Sequence, residues 1–403
     1  MHSKKLDYTQ DKKKKNNGNS WQGYSRYCFI SYYKSDKPIW GIVVNNHHSQ
    51  KEKQEGAIFI DIDNLKELSF YDIFTKVELF PLETKNESLI QNIDKVVMHN
   101  GLFYILDEML KVILVFDQEG GYVRMINKHG NGPGEYTEIN DFRFSNGDLE
   151  LLSPMAGIYV YDTLGITYKH CIRLPHTLLA AHYFVDIASE EYLFFSNSAK
   201  DDKMFFYNSK LDKITGRTYN MPKYLLMSTL YHHNYSPFYD YNGIPHFVQG
   251  HDGAVFILED GELLPKYQWD FGEYNFELEN LTPDKDIRYY LMYHQITGQK
   301  YASIFITYCE NSRYYATQFC LKNKIYKLFY DKVNQYPVVF NRFKEVDIVA
   351  PKILDESFAY SIVSSEALDR FINPDLLDED NKKRYDSVNP DSNPIIIRYT
   401  FKK

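Results

Sequence analysis

Lys128-His129-Gly130-Asn131-Gly132-Pro133-Gly134-Glu135-Tyr136 is a glycine-rich joint between two runs that copy each other. Residues 93–126, upstream, read as four short apolar strands with turns at Asn100-Gly101 and Gly120-Gly121. Asn-Gly marks a tight hairpin because both central residues of a type I′ turn need positive φ. Residues 139–172, downstream, repeat the pattern around Asn146-Gly147, and residues 183–219 repeat it again with Ala188-Ser189 at the turn. Phe116-Asp117, Tyr161-Asp162 and Tyr207-Asn208 end the third strand of successive copies, 45 and 46 residues apart. A four-strand unit of about 40–50 residues is the period of a β-propeller blade. Six periods from Ile93 reach position 369, near the end of the strand-rich region. The fold read here is all-β: a six-bladed β-propeller of four-stranded antiparallel blades, with five or seven blades as alternatives.

Away from the joint the repeat weakens. Residues 245–271, with turns at Asp252-Gly253 and Asp260-Gly261, read as one later blade; residues 303–330 and 338–364 read as two more. Residues 273–295 break the register and read as a helical excursion. On the N-terminal side, residues 57–62 and 77–83 read as strands, and Ser69 as the cap of a short helical turn. Residues 365–385 are polar and helix-like, and residues 395–401 form a strongly apolar last strand. A terminal strand closes a propeller by completing a blade from the other end of the chain, which removes an exposed edge. The last strand is therefore expected to join residues 77–82 or 58–62. Two regions follow: a disordered basic leader, 1–55, and the propeller with its C-terminal closing strand, 56–403.

Composition agrees with this division. Aromatic residues make up 16% of the 403, with 36 Tyr and 27 Phe, and aromatic side chains suit half-buried strands. The net charge is -8, yet residues 1–55 hold 11 Lys/Arg against 5 Asp/Glu, or +6, which leaves -14 for the rest. An acidic body argues against nucleic acid as a partner, since phosphate binding relies on clustered cations. Cys28, Cys171, Cys309 and Cys320 form no CxxC pair, and Cys309 and Cys320 are expected to be two buried thiols rather than a hairpin disulfide. No stretch approaches the roughly 18 apolar residues of a transmembrane helix. Residues 27–33 are too short and polar for a secretory core, so no signal peptide is read in the leader.

Several segments together resemble a known family. Residues 79–84 (Leu-Phe-Pro-Leu-Glu-Thr), 87–90 (Glu-Ser-Leu-Ile) and 130–136 are similar to those of the bacterial 6-bladed β-propeller proteins. Asp141-Phe142, Lys266-Tyr267, Asp270-Phe271-Gly272 and Asn393-Pro394 fit the same pattern in order. The joint also resembles the NHL repeat. The resemblance implies an uncharacterised cell-envelope protein, periplasmic or at the outer-membrane surface, and often exported or lipid-anchored. Residues 49–53 look like the start of a mature lipoprotein, with Ser49 where the lipidated Cys would stand.

The chemistry is sparser than the architecture. The joint lacks the Gly-x4-Gly-Lys-Ser/Thr spacing of a phosphate loop and lies between strands, not before a helix. Lys128, His129, Glu135 and Tyr136 are its ligand-contact candidates. Tyr235 and Tyr239, in the aromatic stretch 231–241, are candidates for a rim that stacks on sugars or packs on a protein. Asp141 and Asp186 recur 45 apart on the first strands of neighbouring blades, which makes them the metal candidates for a divalent ion such as Ca2+ in the channel. Calcium takes about six oxygen ligands, and only these two are nominated. No cofactor is expected otherwise. The histidines have no His-Glu-x-x-His spacing, and no Gly-x-Ser-x-Gly elbow occurs.

A monomeric, non-catalytic binding or scaffold propeller is the preferred reading, with a glycan, peptide or envelope protein as partner. The alternative is a metal-dependent hydrolase or lyase whose site lies in the central channel.

Overall fold

The computed structural model describes residues 56–196, 202–220, 236–259, 262–275 and 300–403. The 1–55 leader, Tyr235, the Asp260-Gly261 turn and most of the 273–295 excursion lie outside these residues. Among the described residues, the strands form six four-stranded antiparallel sheets and one two-stranded parallel pair. Blade 1 comprises Lys95–His99, Leu102–Asp107, Val112–Asp117 and Tyr122–Ile126. Blade 2 comprises Asp141–Ser145, Asp148–Ser153, Gly157–Asp162 and Tyr168–Arg173, and blade 3 Tyr183–Ala188, Glu191–Phe195, Asp202–Asn208 and Lys213–Asn220. Blade 4 is Phe238–Tyr241, Ile244–Val248, Val255–Glu259 and Glu262–Tyr267. Blade 5 is Ser303–Glu310, Tyr314–Leu321, Lys324–Asp331 and Tyr336–Phe340.

Blade 6 is built from both ends of the propeller. Its strands run in the order Phe74–Pro81, Ile395–Phe401, Phe358–Val363, Ile353–Leu354. The terminal strand thus inserts between an early strand and a late one, pairing Leu79 with Ile397 on one side and Ser361 with Ile397 on the other. This is the closure expected from residues 395–401. Ile58–Phe59 goes elsewhere, pairing in parallel with Trp269–Asp270 beside blade 4.

First strands of successive blades touch one another from blade 1 through blade 6, so they line the axis. Strands two and three are buried on both faces, and side-chain alternation divides their residues between two neighbours. In blade 1, Tyr104, Leu106, Ile113 and Val115 pack on blade 2, whereas Phe103, Ile105, Val112, Leu114 and Phe116 pack on blade 6. Double burial explains why these strands read as unbroken apolar runs. Among the described residues, the buried apolar side chains fall into six clusters, one per blade interface. Fully burying one such side chain is worth about 1.5–3 kcal/mol; the core is a ring of seams.

The aromatic-Asp signature has a mechanical basis. Asp117 Oδ1 accepts from Glu119 N and Gly121 N, Asp162 Oδ1 from Ile166 N, and Asn208 Oδ1 from Leu211 N. Each short polar side chain satisfies the turn between strands three and four. Tyr330-Asp331 is a further copy: Asp331 Oδ1 accepts from Val333 N and Asn334 N.

Two boundaries differ from the sequence reading. Phe238–Tyr241 is the first strand of blade 4, and its hairpin turn, Asn242-Gly243, has φ of +53° and +73°. Tyr239, a rim candidate in the sequence, packs in the interface between blades 4 and 5. Val338 belongs to the last strand of blade 5, not to blade 6. Cys309 and Cys320 are both buried thiols, and they are not cross-strand partners: Cys309 faces Ala316, and Cys320 faces Ser303.

Candidate functional site between blades 4 and 5

Strand alternation on Phe238–Tyr241 puts Tyr239 and Tyr241 on one face and Asp240 on the other. On the tyrosine face lies Glu310, the last residue of the first strand of blade 5, with its side chain fully buried. Four side chains surround its carboxylate. Lys266 donates to both oxygens at 2.9 Å, Lys332 to Oε1 at 2.8 Å, Tyr239 to Oε2 at 2.7 Å and Tyr267 to Oε1 at 3.0 Å. A carboxylate offers about four lone-pair sites, so Glu310 is saturated. Burial alone would push its carboxyl group up, but the ammonium groups of Lys332 and Lys266 and the Tyr239 hydroxyl hold it below the usual carboxylate range.

The cations are tied in turn. Lys266 Nζ lies 2.8 Å from His246 Nε2, and the Nδ1 of that ring lies 2.8 Å from Ile244 O. Burial, then the Lys266 charge, lowers the His246 pKa, so the ring is neutral and accepts from Lys266. Burial also lowers the Lys266 pKa. Lys332 and Lys266 stand 4.1 and 5.0 Å from the centre of the Tyr241 ring, a cation–π contact for each. Two cations around one carboxylate and a neutral imidazole leave an excess positive charge, on a chain that is acidic overall.

Asp240, on the opposite strand face, looks to blades 2 and 3. Arg143 of blade 2 pairs with Asp186 of blade 3 and lies 3.9 Å from Asp240. Ser145 Oγ also donates to Asp186, at 2.9 Å. Beside Arg143, its cross-strand neighbour Glu150 is buried, and its Oε1 accepts from Tyr192 at 3.1 Å. Burial raises the Glu150 carboxyl to about 7, opposed by Arg143 and the Tyr192 hydroxyl.

The metal candidates do not share a register. Asn140 and His182 hold equivalent places, each donating its N–H to the end of the second strand, at Leu152 and Phe195. Asp141 is therefore the first residue of its strand and Asp186 the fourth residue of its own, because connections of different length offset the sequence spacing. Asp141 is buried between blades, where it accepts from Lys95 at 2.6 Å, Phe142 N at 2.9 Å and Phe184 N at 3.1 Å. Each carboxylate thus already has a cation, Lys95 or Arg143. Among the described residues, no three His, Cys, Asp or Glu side chains converge as a metal site would require.

At the joint, Tyr136 N donates to Lys128 O and Gly130 N to Tyr136 O, both at 3.0 Å, which clamps the loop between blades 1 and 2. The Tyr136 ring is fully buried and its hydroxyl donates to Lys111 O at 3.0 Å, so it serves packing rather than an open surface. Glu135 folds back to accept from Gly132 N at 2.7 Å. Lys128 is half-buried and His129 exposed. The structure does not bring these four together with Tyr239, which belongs to the blade 4–5 seam. Glu310 and Lys332 escaped sequence reading, Lys266 entered it only through the family pattern, and Tyr241 only as part of the aromatic stretch 231–241. Asn242-Gly243 was the signal available for Tyr241, since it marks a hairpin whose first strand must hold residues 238–241.

The family model described as "Domain of unknown function (DUF4934)" matches residues 55–400. The chain belongs to the DUF4934 family. A solved structure from Bacteroides fragilis, described as a "Putative exported protein", is similar to this DUF4934 chain with a TM-score of 0.70 and 17% identity, covering 86% of this chain and all of the other (100%). At that identity the likeness speaks for the fold. A Bacteroides vulgatus member of the DUF4221 family superposes less well, with a TM-score of 0.48 and 11% identity over 83% of this chain and 98% of the other. No curated protein matches the DUF4934 chain.

Proposed function

We propose that this DUF4934 propeller is a non-catalytic binding or scaffold protein of the bacterial cell envelope, presenting one face to a glycan or protein partner. The observation that carries the reading is the blade 4–5 cluster, where a fully buried carboxylate holds two partly exposed lysines against the Tyr241 ring. That arrangement supplies fixed cations and aromatic surface, which is the chemistry of recognition. The charged groups near the axis support the same view. Lys95 with Asp141 and Arg143 with Asp186 are bound across blade seams, an arrangement that stiffens a ring. Export is supported by the resemblance to envelope propellers and by the description of the Bacteroides fragilis relative.

A glycan array probed with the whole chain tests this reading. Retention of a defined set of glycans, reduced in Tyr241→Ala, is the expected result. Turnover of a substrate with one stoichiometric divalent ion, lost in Asp141→Ala or Asp186→Ala, would instead establish the hydrolase or lyase alternative.

A further inference from the structure

Glu310 needs one cation to neutralise it and has two. Lys266 alone bonds both carboxylate oxygens. Lys332 gives Glu310 a single hydrogen bond, although an ammonium group has three donors. Its side chain is 17% exposed and its ammonium stands 4.1 Å from the centre of the Tyr241 ring. Among the described residues, Glu310 is the carboxylate paired with both lysines, and Asp240 lies on the other face of its strand.

The turn that carries Lys332 adds a second element. Val333 on this turn and Tyr336 at the start of the next strand are 73% and 59% exposed. The backbone N–H groups that capture of a peptide C-terminus uses are already taken here. Lys332 N donates to Arg313 O, and Val333 N and Asn334 N donate to Asp331. What stays on offer is an ammonium group beside the half-buried Tyr241 ring, with the exposed Tyr336 ring four residues along the chain. That pair suits a sugar acid, whose ring presents an apolar C–H face and whose carboxylate presents the charge.

From this geometry we infer that Lys332, with Lys266 behind it, is the carboxylate-binding subsite for a uronate-type acidic glycan, with Glu310 as the positioning residue that fixes both ammonium groups. The inference rests on the binding-protein reading and names the ligand class for that site.

Calorimetric titration of the whole chain with trigalacturonate, its methyl ester and a short peptide with a free C-terminus tests it. The acid is expected to bind at least about tenfold more tightly than the ester, the scale of a lost hydrogen bond to a charged group. Lys332→Gln brings the acid to the level of the ester, Lys332→Arg restores most of the difference, and both variants melt within a few degrees of the parent. Equal binding of acid and ester, no binding of the acid, or discrimination that survives Lys332→Gln overturns the subsite. Lys332-dependent binding of the peptide without binding of the acid overturns the choice of a sugar. If neutral glycans bind while the acid gains nothing, the subsite falls and the binding-protein reading stands. If no glycan binds at all, the subsite falls together with the glycan form of the binding-protein reading, and a protein partner is what that reading retains.

Discussion

Arg398 donates to Glu78 Oε2 from Nε at 3.0 Å and contacts it from a terminal nitrogen at 2.9 Å, joining residues 320 positions apart in the chain. The pair lies across the closing seam, where the last strand is sandwiched between Phe74–Pro81 and Phe358–Val363. Ile395, Ile396 and Ile397 beside it are fully buried and alternate between the seams with blades 5 and 1. The propeller therefore closes only when its C-terminus arrives.

Ile397→Ala is expected to cost about 2–5 kcal/mol, the range for emptying a well-packed aliphatic site. Urea unfolding measures it; a cost below about 1 kcal/mol would show that the seam contributes little to stability.

Gly134 in the joint has φ of +75°, and a Cβ there would lie 2.5 Å from Tyr168 Cγ. Gly134→Ala should destabilise the protein by about 1–3 kcal/mol through backbone strain and the clash. Thermal melts of this variant beside Gly147→Ala, which has open space at its Cβ and φ of +81°, separate clash from strain. Equal shifts would leave no role for Tyr168.

Glu150 keeps its proton in the folded state up to about pH 7, whereas its ordinary value is 4.5. Between those values the unfolded chain binds fewer protons, so this group lowers stability as pH rises from 4.5 through 7. The loss is at most about 3 kcal/mol. Glu150→Gln retains an acceptor for the Tyr192 hydroxyl and should flatten that slope and be more stable at pH 8. Denaturant melts across the pH range measure both effects; a slope identical to the parent contradicts the assignment.

Glu310 behaves in the opposite sense. Its folded pKa is depressed below 4.5, so its contribution is present above the unfolded value and is lost as pH falls through the folded one. Glu310→Ala strands Lys266 and Lys332 without their counter-ion and is expected to cost about 3–5 kcal/mol. Acid unfolding of the parent and of Glu310→Gln should converge at low pH, while unchanged separation would assign the acid sensitivity elsewhere.

The fold was legible because its markers are local. Asn-Gly turns and aromatic-Asp strand ends are set by φ and by short side-chain hydrogen bonds, so they recur wherever a blade repeats. The closing strand was legible for a different reason: seven residues as apolar as Ile395–Phe401 need two neighbours. Blade 4 was misread at its start, although Asn242-Gly243 carried the same signal as Asn100-Gly101, because the tyrosines around it suggested a surface. Of the Glu310 cluster, Tyr239 was legible as a candidate, and the carboxylate and the cations around it were not. Its members come from four strands and a turn in two blades, and only tertiary packing places Glu310 against Lys266, 44 positions away. Asp141 and Asp186 misled in the reverse direction, since equal spacing in sequence concealed different places on their strands.

Hydrogen exchange of the whole chain, with and without saturating trigalacturonate, tests most directly whether a ligand occupies the Glu310 cluster. Exchange should slow in the amides of residues 238–241, 262–267 and 310–336 and stay unchanged in the joint at 128–136. Protection confined to the joint or to the first strands of blades 1 to 3, with none in residues 310–336, would contradict that placement.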